Sequence, residues 1–128
     1  MSVLLKILLS ACAALLLGAC AYNDAYSVSR AYERGRRDAR HDLAKGILAV
    51  ETCGLPISNS GAHRLLRERY GIHVRSVGGC VVNSRLRAHI AGYNELSGAE
   101  IEQRFGKDVW DNAREESRNH YSQKQITE

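Results

Sequence analysis

Residues 28–50, VSRAYERGRRDARHDLAKGILAV, decide how the rest of the chain can fold. Apolar or small side chains recur at Val28, Tyr32, Gly35, Ala39, Leu43, Ile47 and Val50, always three or four residues apart. An α-helix turns once in about 3.6 residues, so these positions form one stripe that needs a core to cover it. The opposite side carries Arg30, Glu33, Arg34, Arg36, Arg37, Asp38, Arg40, His41, Asp42 and Lys45, with Glu33 and Arg37 spaced as an i,i+4 pair. Gly35 lies inside the stripe, where a missing side chain weakens the helix but lets another backbone come close. A second helix is therefore expected to cross there.

Downstream, the segment Cys53-Gly54-Leu55-Pro56 reads as the end of this first helix, with a left-handed glycine followed by the chain's one proline. Asn59 or Ser60 then caps a second helix carrying Ala62, Leu65, Leu66, Arg69 and Tyr70 on one side, and Gly71-Ile72 stops it. The alternation and β-branching of Ile72 to Val77 predict a strand. Gly78-Gly79 suits a hairpin turn that returns through Cys80, Val81 and Val82; the competing reading is one strand with a glycine-rich kink. Asn83 or Ser84 starts a third helix along Leu86, Ile90, Tyr93, Ser97, Ile101 and Phe105, unbroken because the stripe keeps its phase past Gly92 and Gly98. After Gly106, Asp108 caps a last helix with Val109, Trp110 and Ala113, whose end is polar and expected to fray from about Ser117. The fold class is α+β: a small, mainly helical domain of about four helices with one short β-hairpin.

The N-terminus is of another kind. After Lys6, the run from Ile7 to Ala19 is broken only by Ser10, and it is shorter than the roughly 20 apolar residues of a spanning helix. It ends in Leu15-Leu16-Leu17-Gly18-Ala19-Cys20, which resembles the lipobox of bacterial lipoprotein signal peptides. The resemblance covers the first twenty residues. It implies cleavage before Cys20, lipidation of that cysteine with acyl chains such as palmitate, and an anchor in the cell envelope. Buried methylenes contribute about 0.8 kcal/mol each, so more than one chain holds stably. Ala21 in place of aspartate implies the outer membrane, with the domain facing the periplasm. An ordinary secretory cut that leaves Cys20 as a thiol is the alternative. The organisation expected is a signal peptide at 1–19, a lipidated tether at 20–27, one globular domain at 28–117 and a polar tail at 118–128.

Without residues 1–19 and Lys6, the chain has 17 basic and 14 acidic side chains, a net of +3. Their distribution is uneven: six arginines against Glu68 alone between His63 and Arg87, but eight acidic against five basic from Glu95 onward. A basic middle facing an acidic tail marks Arg64, Arg67 and Arg75, with Tyr93 and Asn94, as a candidate binding surface for an envelope protein, cell-wall polymer or lipid headgroup. Intramolecular attraction between middle and tail is the plainer reading. For Tyr93 the commoner arrangement is a buried ring whose hydroxyl bonds Asn94. Cys12 leaves with the leader and Cys20 takes the lipid, so Cys53 and Cys80 remain as a disulfide pair. In the chain-entropy model, closing that loop stabilises by roughly 3 to 4 kcal/mol.

No catalytic constellation emerges. Ser76-Val77-Gly78-Gly79-Cys80 partly resembles the nucleophile segment of L,D-transpeptidases, but Val82 stands where that family carries arginine. His41, His63, His73, His89 and His120 never pair at metal-ligand spacing, and no acid and base couple stands out, so no metal and no cofactor is expected. Neither a P-loop nor a dinucleotide fingerprint is present, and an exported lipoprotein rarely meets nucleic acid. A non-enzymatic envelope protein that binds or scaffolds a partner is the expectation, with membrane lipid as the first partner. A membrane-tethered periplasmic inhibitor or immunity protein is the alternative.

Overall fold

The computed structural model describes residues 3–54, 61–79 and 81–126, with side chains over 22–54, 61–79 and 81–119. Its elements are α1 (Val3–Ala44), β1 (Leu48–Thr52), α2 (Gly61–Tyr70), β2 (Ile72–Ser76), α3 (Ser84–Phe105) and α4 (Val109–Ile126). Among the described residues no helix is long and apolar enough to cross a membrane.

The first helix begins earlier and ends earlier than its stripe predicts. It runs unbroken through the expected tether at 20–27, then stops at Ala44. Lys45, Gly46 and Ile47 donate their amides back to the Asp42 and Leu43 carbonyls, and Gly46 takes φ +74°, which L side chains rarely adopt. The next five residues, Leu48 to Thr52, form a strand instead of continuing the helix. That strand pairs in parallel with β2, from Leu48 opposite Ile72 to Thr52 opposite Ser76. The expected hairpin is thus corrected to a β1–α2–β2 crossover, since parallel strands cannot be joined by a tight turn. Val81 and Val82 form no return strand, and β2 ends at Ser76 rather than continuing through a glycine kink, so neither reading of this segment holds.

Strand alternation separates two apolar layers. Leu48, Val50, Ile72 and Val74 face one core, which also holds Leu66 of α2, Ile101 of α3, and Val109, Trp110 and Ala113 of α4. Ala49 faces the other, with Ala39, Tyr93, Ile47 and Leu96. The helix expected to cross at Gly35 is α3. A Cβ added at Gly35 would sit far inside the His89 carbonyl and 2.8 Å from the Tyr93 amide nitrogen. Gly92 answers from α3, where a Cβ would strike the Tyr32 carbonyl. Ala31, Gly35 and Ala39 are buried along this seam, so the two backbones pack with little between them.

Helix α3 is unbroken, as its constant phase predicts. Asn83 is its N-cap, accepting the Leu86 amide at 2.8 Å, and Gly106 ends it. The last helix continues to Ile126, past the point where fraying was expected. Glu33 pairs with Arg36 at 3.7 Å; Arg37 turns instead to Asp38 at 3.8 Å.

Candidate functional site

Chemistry concentrates where α1 ends, the sheet begins and α3 crosses. Asn94 accepts the Glu51 amide and donates to the Glu51 carbonyl, both at 2.7 Å, and the Ser97 hydroxyl donates to the Ala49 carbonyl. These two side chains occupy the outer edge of β1 as a neighbouring strand would. The Tyr93 hydroxyl, 1% exposed as a residue, donates to Asp42 at 2.7 Å, and Arg75 meets the same carboxylate oxygen at 2.6 Å. The hydroxyl of Tyr93, helped by Arg75 and opposed by burial, holds the Asp42 carboxyl below the usual aspartate range. Burial pushes the phenol of Tyr93 up, as does its bond to Asp42. Glu51 is raised by burial, against the pull of His89, whose Nε2 lies 3.3 Å away.

Tyr93 and Asn94 therefore leave the candidate binding surface. Tyr93 is buried and Asn94 half-buried, and their polar atoms are spent on Asp42 and on the β1 backbone rather than on each other. The three arginines part company as well. Arg64 and Arg67 are exposed on α2, whereas Arg75 is half-buried and tied to Asp42. Arg67 and Arg75 do meet, across a surface hollow of about 390 Å³ that His63, His73, Ile47 and Val74 also line. His63 with Arg67 on the helix and His73 with Arg75 on the strand keep the spacings that place side chains on one face of each element. Those spacings were visible in the sequence, but only the crossover sets α2 beside β2; Ile72 and Val74 face the core with Leu66 of α2, so His73 and Arg75 reach the hollow from the other face of the strand.

Backbone chemistry gives this hollow its character. The Val77 amide bonds the Thr52 carbonyl at 2.9 Å, so alternate residues of β2 direct their main-chain groups to β1 and the others, Val74 among them, turn away. The outer edge of β2 has no strand beside it among the described residues. Arg67 beside an unpaired strand edge, with Arg75 already neutralised by Asp42, suits an extended segment carrying an acidic residue.

Cys53 follows β1 rather than a helix and is an exposed free thiol, so the expected Cys53–Cys80 bridge is not made in the structure. Cys80 lies outside the described residues, as do the predicted caps Asn59 and Ser60; of Cys20 only the helical backbone is described. Among the described residues no group of three or more His, Cys, Asp or Glu is placed to hold a metal ion. Phe105 packs edge-on against Tyr70 at 5.2 Å, and Trp110 is half-buried against the apolar core. No family model, no curated protein and no solved structure matches the chain.

Proposed function

We propose that the protein is a lipid-anchored component of the cell envelope, cut before Cys20, whose domain binds an envelope partner without catalysing a reaction. The observation that carries the binding half is the hollow between α2 and β2, where the exposed Arg67 and His73 flank a strand edge that has no partner strand among the described residues. An acidic, extended segment of an envelope protein fits both its charge and its hydrogen-bonding groups. The anchor half rests on Leu17-Gly18-Ala19-Cys20.

Labelled palmitate is expected to enter the wild-type protein and not Cys20→Ser. Pull-down from detergent-solubilised membranes is expected to recover an envelope protein that is lost from Arg67→Glu, an exposed position lining the hollow. Equal labelling of the serine variant ends the anchor half, and identical pull-downs end the binding half.

A further inference from the structure

The half of α1 nearest the proposed anchor carries an exposed ridge that takes no part in either core. Tyr22, Tyr26, Arg30 and Arg34 follow one another at steps of four along a single helix face. The tyrosines are 72% and 53% exposed and stack at 6.4 Å, and the Arg30 guanidinium lies 5.7 Å above the Tyr26 ring. Arg85, at the start of α3, joins Arg30, Arg34 and Tyr26 around a surface hollow of about 620 Å³. Among the described residues Asp24 is the one carboxylate lining it, and Glu33, which flanks the ridge, is held by Arg36. Arg30, Arg34 and Arg85 are exposed and make no ion pair among the described residues, whereas Arg75 and Arg69 each hold a carboxylate.

We infer that this ridge is a side-on docking face for an anionic phospholipid surface, with the tyrosines at headgroup depth and Arg30, Arg34 and Arg85 taking lipid phosphates. The inference rests on the anchor reading, since lipidation at Cys20 brings a bilayer two residues from Tyr22. Tyrosine prefers the membrane interface, and each arginine near an anionic surface adds to the attraction. Geometry separates two postures. A helix rises about 1.5 Å per residue, so with α1 upright Arg34 stands about 21 Å from Cys20, beyond a headgroup layer of roughly 5 to 8 Å. With α1 lying along the surface, the whole ridge and Arg85 reach phosphates together.

The posture is read with tryptophan at position 37, exposed and on the same side but about 26 Å from Cys20 along the helix. The full chain carrying Arg37→Trp is mixed with brominated vesicles of phosphatidylcholine, with or without phosphatidylglycerol, and native Trp110 serves as the reference. Bromine quenching at position 37 is expected on the anionic vesicles, with little on phosphatidylcholine alone. High salt is expected to abolish it, as is adding R30E/R34E/R85E with an unchanged circular dichroism spectrum; the milder R30Q/R34Q/R85Q is expected to act in the same direction. Equal quenching on both surfaces, none on either, or quenching that survives the charge reversal overturns the docking face. Palmitate labelling is scored on the same preparations. Label without headgroup-dependent quenching removes the ridge and leaves the anchor, and headgroup-dependent quenching without label does the reverse.

Discussion

The crossing of α1 over α3 and the apolar layer between the sheet and helices α2 and α4 are held by opposite means. At the crossing, Gly35 and Gly92 bring one backbone against the other, and there is no room for a methyl group. In the apolar layer, Leu66, Ile72, Ile101 and Val109 fill the space themselves, with exposures of 3% or less. One region resists added volume and the other resists removed volume. Close packing makes both intolerant, but it reverses the sign of the substitution that does harm.

That contrast is most exposed to failure at the glycines. Gly→Ala in an exposed helix ordinarily stabilises by roughly 0.4 to 1 kcal/mol. Gly92→Ala and Gly35→Ala are expected to do the reverse, destabilising by about 3 kcal/mol or more, because the obstructing atoms are main-chain and cannot turn aside. Urea unfolding followed by circular dichroism checks this, and a gain in stability at either position breaks the comparison. Ile101→Ala is expected to lose about 3 kcal/mol by leaving a cavity, measured in the same titration. Next in size is Asn94→Ala, which strips both partners from the Glu51 main chain and is expected to lose about 2 kcal/mol. Faster amide exchange at Glu51 would locate that loss.

Acid titration sharpens the same comparison through the polar groups at the crossing. Burial raises Glu51, so its charged form opposes folding, and the penalty is relieved as pH falls through its elevated pKa. Asp42 is held low, so its contribution is complete above the ordinary aspartate range and is lost as pH falls through its depressed pKa. The urea midpoint is therefore expected to rise on mild acidification and then fall. Glu51→Gln removes the rise. Tyr93→Phe removes the largest cause holding Asp42 down, so the fall begins at higher pH. Smallest of all, Arg69→Ala is expected to move the midpoint little, because its pair with Glu116 is about half exposed and screened by solvent.

Much of the apolar framework was legible from spacing alone, including the crossing at Gly35, the unbroken α3 with its Asn83 cap, and the burial of Val109 and Ala113. The largest error sat at residues 45–52. Gly46-Ile47 carries the same stop signal that ended α2 at Gly71-Ile72, but Ile47 and Val50 fall three apart and prolong the helical stripe by coincidence. Five residues, Leu-Ala-Val-Glu-Thr, are too few for periodicity to separate a buried strand from a helix. The strand partner, far off in sequence, decided it. For the site, the arginines were legible and their fates were not. Arg75 resembles Arg67 in sequence until Asp42 arrives from the end of α1, and nothing local to Asn94 says that its amide will stand in for a strand.

That substitution of an amide and a hydroxyl for a strand has one more outcome. With Asn94 and Ser97 seated on β1, the sheet has a closed side and an open side, as a plug does. It can accept one extended segment but has no second edge among the described residues to offer the next molecule, so association through the sheet ends at one guest, or at two copies joined edge to edge, and does not run on into a fibre.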